Sequence, residues 1–283
     1  VPPNILITGA SRGLGAAIAA EFWANGSTLL LAARDAARLA SLRDSLLPSA
    51  RPGQHIHLLP ADLADPATPP HLLASALSLV PRLDVLVNNA AIVGPIGPFA
   101  ANSPAAFAQT LQVNLLAPAE LMRAAIPSMA ASGGGVIINL SGGGATSPRP
   151  NFSAYATAKA ALVRLSETIA VEYASANIRV HCVAPGAMNT EMLEAVLRSS
   201  PEAAGPEFRK ALEQREKGGA DPAIAARLCV YLASPQAQHI SGRLLSAVWD
   251  PWTSLHTHAD DLAAGDIYTL RRIVPEDRGK NWS

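Results

Sequence analysis

The stretch SGGGATSPRPNFSAYATAK, residues 141–159, carries a phenol and an ammonium four positions apart. On a helix, residues i and i+4 stand one above the other on the same face. Tyr155 beside Lys159 is therefore read as a proton-transfer pair. A neighbouring ammonium stabilises phenolate and draws the phenol down from about 10 toward neutrality, where it gives or takes a proton. The lysine can also reach the hydroxyls of a ribose. A tyrosine and a lysine at this spacing occur by chance in many helices, so other motifs must decide the matter.

A second chemical signal lies near the start of the chain. NILITGASRGLG sets Gly9, Gly13 and Gly15 directly between an apolar run and a helical segment, with Ser11, Arg12 and Leu14 filling the turn. Glycines there let backbone approach a pyrophosphate, and the helix that follows offers unpaired N–H groups and the positive end of its dipole. The spacing is G-x-x-x-G-x-G, not the commoner G-x-G-x-x-G. After the second apolar run the chain reads AARD, and no acid ends the run itself to bind a ribose diol. Arg34 and Arg12 present guanidinium forks suited to a 2′-phosphate, which favours NADP(H) over NAD(H). Asp35 keeps the NAD(H) alternative open.

The elements that must hold these groups show as an alternation. Apolar, β-rich runs at 4–8, 27–32, 55–60, 84–89, 135–141, 178–184 and 242–248 are separated by helical segments such as 14–25, 36–47, 105–131 and 153–176. Most of the runs are apolar on successive residues, as strands buried on both faces must be. The pattern predicts an α/β fold, a Rossmann-like doubly wound parallel sheet of about seven strands with helices on both faces. Residues 1–248 read as one NAD(P)-binding domain. A charged, helix-prone stretch at 190–220 reads as an accessory to it, and 249–283 as a C-terminal extension packed on the core or on a neighbouring subunit.

Composition narrows the partners. With 22 basic and 22 acidic residues there is no net field to attract nucleic acid or anionic lipid. No run of about 18 apolar residues occurs, and the N-terminus lacks the basic flank of a secretory signal, so a cytoplasmic protein without membrane contact is expected. Cys182 and Cys229 are too few for a disulfide framework and read as reduced core thiols. His256 and His258 alone make no metal site, and no metal is expected.

Taken together, these motifs resemble the short-chain dehydrogenase/reductase family, in its branch of roughly 250-residue single-domain enzymes. The resemblance spans about residues 4 to 248. Thr8, Gly9, Gly13 and Gly15 match the cofactor turn, Asp62 with Leu63 the adenine site, and NNAA, from Asn88 through Asn89 and Ala90 to Ala91, the segment beside the adenosine ribose. Pro185 and Gly186 match the turn against the nicotinamide, and Thr190 the residue that binds its carboxamide. The resemblance implies Asn114 as the holder of a proton-relay water, Tyr155 as the acid and Lys159 as its modulator. It also implies a small-molecule carbonyl or alcohol substrate and a homodimer or homotetramer.

One position departs from the family. Its substrate-orienting serine stands thirteen residues before the tyrosine, which here is Gly142. The favoured reading is a one-residue bulge in the triple glycine that turns Ser141 toward Tyr155. Ser147, Ser153 or no serine are the alternatives. The implied activity is NADP(H)-dependent reduction of a carbonyl or oxidation of the corresponding alcohol. A cofactor-binding relative without redox chemistry, or an imine reductase, dehydratase or epimerase, stands as the alternative. Arg149, flanked by prolines, is placed to meet an anionic substrate group, but a surface charge is the favoured reading.

Overall fold

In the run NILIT, Ile5 and Ile7 pack into one apolar cluster and Leu6 into another, all three fully buried. That is the two-residue period of a strand covered on both faces. The computed structural model describes residues 2–282. Its elements in chain order are β1 (Asn4–Thr8), α1 (Gly13–Ala24), β2 (Thr28–Ala33), α2 (Ala36–Leu46), β3 (Ile56–Pro60), α3 (Thr68–Leu79), β4 (Val85–Asn88), α4 (Pro104–Leu111), α5 (Ala117–Ala131), β5 (Gly135–Leu140), α6 (Ser153–Glu172), β6 (Ile178–Ala184), α7 (Glu191–Arg198), α8 (Pro201–Ala204), α9 (Pro206–Lys217), α10 (Pro222–Ala233), β7 (Arg243–Ser246) and α11 (Ala259–Ala264).

The seven strands form one parallel sheet in the order β3-β2-β1-β4-β5-β6-β7. Chain order reverses between β1 and β4, so the crevice beyond the C-terminal ends of these strands is where a Rossmann-like sheet binds its ligand. Leu14, Ile18 and Phe22 of α1 share one core with Ala225, Leu228 and Cys229 of α10. Leu121, Met122 and Ala125 of α5 share the other with Leu162 and Ile169 of α6.

One segment differs from the sequence expectation. The stretch 105–131 reads as one helix but forms two, α4 and α5, joined by a five-residue π-helical stretch over Gln112–Leu116. The cause is Pro118: in an unbroken α-helix its N–H would bond the carbonyl of Asn114, and proline has none to give. The wider turn absorbs the defect. The charged stretch at 190–220 is helical, as its composition suggests, and forms α7 to α9.

The extension beyond β7 folds back on this chain's own core. Leu255 and Leu262 are buried, and Trp252 Nε1 donates to the Ala247 carbonyl at 3.0 Å. The Leu244 N–H, on the outer side of edge strand β7, donates to the Tyr268 carbonyl at 2.8 Å. Arg243 donates to the carbonyls of Leu262, Gly265 and Ile267. Cys182 and Cys229 are free and buried. Among the described residues no helix is long and apolar enough to cross a membrane.

Candidate active site

The glycine turn closes the end of β1 against the end of β4. Gly9 has φ +63°, and a Cβ there would stand 2.8 Å from the Ala90 Cα. A Cβ on Gly15 would collide with the Gly9 carbonyl, so Gly9 is glycine for space and conformation and Gly15 for space. Asn89 locks the turn: its Nδ2 donates to the Thr8 and Gly9 carbonyls at 2.9 and 3.2 Å, while Thr8 Oγ1 accepts from the N–H groups of Asn89 and Ala90. No side chain caps the N-terminus of α1, and its first turn holds no acid. Its free N–H groups, with Ser11, Arg12 and Leu14 around them, form a cradle that fits a pyrophosphate. Asn88, expected beside the ribose, is instead buried and donates through Nδ2 to Asn139 Oδ1 at 2.8 Å.

At the adenosine side of this cradle Arg34 is exposed and has no hydrogen bond or ion pair among the described residues. Among the described residues Arg12 reaches only Glu191, at 3.4 Å. Asp35 is engaged as the N-cap of α2, accepting from the Arg38 N–H at 2.9 Å and pairing with its guanidinium at 3.0 Å. Asp62 Oδ1 accepts from the Ala64 N–H at 3.1 Å, and Leu63 is buried beneath it.

Tyr155 and Lys159 lie on the buried face of α6, 4% and 2% exposed. Lys159 Nζ donates to the Leu140 carbonyl at 2.7 Å and lies 5.8 Å from the centre of the Tyr155 ring. Burial draws the lysine down to about 8, while burial pushes the phenol up, only partly opposed by the Arg149 cation. This corrects the sequence expectation. Desolvation outweighs the neighbouring charge, and the opposing cation is Arg149, not Lys159. A buried relay fixes α6 beneath this pair: Asn139 Nδ2 donates to Ser166 Oγ at 2.8 Å, Ser166 Oγ donates to the Leu162 carbonyl at 2.7 Å, and Cys182 lies 3.2 Å from the same hydroxyl.

The bulge expected to turn Ser141 toward Tyr155 is absent. The β5–β6 ladder continues regularly past the Leu140–Val183 pair, with the Ser141 N–H donating to the Val183 carbonyl at 2.8 Å. Ser141 Oγ is buried and has no hydrogen-bond partner among the described residues. It is Gly142 that faces the tyrosine: a Cβ on it would fall inside contact distance of Tyr155 Oη, with Cζ at 3.2 Å and Cε1 at 3.3 Å. A regular ladder leaves alternation intact, which puts the glycine in the serine's place. Ser147 is exposed, and Ser153 Oγ accepts from Asn102 Nδ2 at 3.2 Å.

Asn114, at the centre of the π-helical stretch, holds the loop after β4. Its Oδ1 accepts from the Ile92 N–H at 2.9 Å and its Nδ2 donates to the Ile92 carbonyl at 2.8 Å, which leaves the amide one further donor and one further acceptor position. Pro185 and Gly186 turn the chain out of β6, Gly186 at φ +91°. Thr190 comes over the glycine turn, its Cγ2 3.8 Å from where a Gly13 Cβ would be.

The favoured surface reading of one further residue is corrected here. Arg149 is not a surface charge: its guanidinium lies 4.2 Å from the centre of the Phe152 ring and 5.5 Å from that of Tyr155. Its side chain is 20% exposed and pairs with Glu207 of α9 at 3.0 Å. The signal in the sequence was its place in the loop leaving β5, two residues after the run of glycine, alanine and hydroxyl residues and three before Phe152.

A family profile described as short chain dehydrogenase matches residues 3–200. The chain is 33% identical over 274 residues to the short chain dehydrogenase mpl6 of Monascus purpureus, covering 95% of this chain and 88% of that one. Among solved structures it resembles 7 alpha-hydroxysteroid dehydrogenase complexed with NADH, at 28% identity and a TM-score of 0.76, over 86% of this chain and 92% of the other. It also resembles YwfH, an NADPH dependent reductase involved in bacilysin biosynthesis, at 26% identity and a TM-score of 0.78, over 87% and 97%. A cradle for a dinucleotide at the sheet's switch point and a profile match over most of the chain lead to one conclusion: this chain belongs to the short-chain dehydrogenase/reductase family and is an NAD(P)-dependent oxidoreductase.

Proposed function

We propose that this enzyme uses NADP(H) to reduce a carbonyl of a small molecule, or to oxidise the corresponding alcohol, with Tyr155 as the proton donor and acceptor. The observation that carries the reading is the buried Tyr155 hydroxyl against Gly142, at the end of β5 and one sheet position from the glycine cradle between β1 and β4. When bound, the nicotinamide supplies hydride to the carbonyl carbon or accepts it from the alcohol. Tyr155, kept protonated by burial, donates to the carbonyl oxygen and gives up its proton as the alkoxide forms. Lys159 orients the phenol from beneath and offers its remaining N–H donors to the ribose. Gly9, Ser11, Gly13, Leu14 and Gly15 hold the pyrophosphate, Arg12 and Arg34 the 2′-phosphate, Asp62, Leu63, Asn89 and Ala90 the adenosine, and Pro185, Gly186 and Thr190 the nicotinamide. Asn114 has a free amide position for a relay water.

The preference for NADP(H) rests on Arg34, which has no partner among the described residues, on Arg12, held only loosely by Glu191 at 3.4 Å, and on Asp35, which is committed to α2. A second reading, a cofactor-binding protein without turnover, is favoured only by the absence of a hydroxyl at Gly142. Following NADPH oxidation against a panel of ketones, sugars and imines tests the proposal. Tyr155→Phe should lower turnover by about 10²- to 10⁴-fold while cofactor affinity stays within a few-fold. Parent-level turnover in that variant, or no oxidation by any member of the panel, overturns the reading.

A further inference from the structure

We propose that Arg149 is the substrate-recognition residue of this site, selecting molecules that carry a carboxylate on an apolar body. This rests on the reaction proposed above and adds the class of substrate to it. The loop that leaves β5 carries the guanidinium over the Phe152 ring and toward Tyr155, so the cation borders the space where a carbonyl must lie. Its Nε and Nη2 both donate to Glu207 Oε2, at 3.3 and 3.0 Å. The third nitrogen, Nη1, has no hydrogen bond among the described residues and lies 3.8 Å from where a Gly143 Cβ would be. Glycine at 143 leaves that edge of the fork uncovered.

The charge balance favours an anion. Glu207 Oε1 is met by Lys210 Nζ at 3.5 Å, so Arg149, Glu207 and Lys210 sum to one positive charge with the guanidinium on the inner side. A guanidinium screened from water and held on one side is preorganised for a planar anion on the other. The surface beside it is apolar: Met192 and Phe208, partly buried, pack over the buried cluster of Phe152, Tyr155, Leu193 and Val196. A body of carbon with one acidic end matches this lining. With neither Ser141 nor Gly142 offering a hydroxyl to Tyr155, orientation of the substrate falls to this cation.

Calorimetric titration of the full chain, saturated with NADP⁺, against 4-phenylbutanoate and its neutral amide 4-phenylbutanamide reads the proposal apart from turnover. The carboxylate should bind about 10- to 100-fold more tightly than the amide, the scale of charge-assisted hydrogen bonds. Arg149→Met should remove that ratio and leave the amide's affinity in place, Arg149→Lys should retain part of it, and Glu207→Gln should keep it or raise it. A ratio near one in the parent overturns the proposal, as does an Arg149→Met variant that weakens both probes alike. Glu207→Gln abolishing the ratio as fully as Arg149→Met does would make the arginine a pin for α9 and overturn it too. If the ratio holds while no ketone oxidises NADPH, the reaction fails and the carboxylate site stands. Turnover with a ratio of one gives the reverse.

Discussion

Restoring the hydroxyl that the family pattern expects should harm this enzyme. In Gly142→Ser, and equally in Gly142→Ala, the new Cβ would sit inside contact distance of Tyr155 Oη, with the ring carbons Cζ and Cε1 at 3.2 and 3.3 Å. The phenol must then retreat by about 1 Å, taking ordinary contact distances as the guide. It has little room to do so, because Tyr155 is 4% exposed and packed in the cluster with Phe152, Leu193 and Val196. Overpacking of this kind costs about 1–3 kcal/mol of stability. A misplacement of about 1 Å at a reacting group costs on the order of 10²-fold in rate. Both variants should therefore show a lower urea midpoint and a kcat/KM reduced by about that factor, with the serine no better than the alanine. A Gly142→Ser variant that matches or exceeds the parent in both measurements would refute the reasoning, because it would mean the site accepts a second hydroxyl without moving the first.

Other outcomes follow from the same geometry. Arg34→Ala should weaken NADPH about 10-fold or more and leave NADH nearly unchanged in parallel titrations, since the arginine meets only the extra phosphate; an equal effect on both cofactors would remove the basis for the preference. Lys159 titrates at about 8 when folded, against 10.5 for the free side chain, so the unfolded chain binds more protons between these values and stability contributed by this group rises with pH across that window. Lys159→Met should therefore be more stable than the parent at pH 7, by about 2–3 kcal/mol in urea unfolding, with most of the gain gone at pH 10; a gain that does not change with pH would contradict a depressed lysine.

The strands and the glycine turn were legible because each depends on local pattern. A run such as NILIT is apolar at every position, and only burial on both faces accommodates that. The pairing of Tyr155 with Lys159 needs only the helical period. Which of Ser141 and Gly142 faces the tyrosine depends on ladder register with Val183, a residue on another strand, and a serine beside three glycines reads equally well as bulged or straight. The π-helical stretch was hidden because Gln112–Leu116 lies inside an apolar pattern of ordinary helical period, though Pro118 marked the place. For Arg149 the surface reading prevailed over a substrate contact because its partner Glu207 is 58 residues away, on a helix whose docking no local pattern sets. The direction of the Tyr155 shift was misjudged for a related reason: two charges side by side are visible in a sequence, and the water excluded around them is not.

The extension beyond β7 does more than cover apolar surface. An outermost strand with open N–H and carbonyl groups is a template on which another chain can pair. Here Tyr268 takes the Leu244 N–H and Arg243 is spent on three carbonyls of the extension. The described residues of the extension, 249–282, thus act as a built-in stopper on one margin of the molecule. A protease cut or a frameshift in this segment would do harm without touching a single group that handles substrate, by leaving behind an enzyme whose own edge invites self-association.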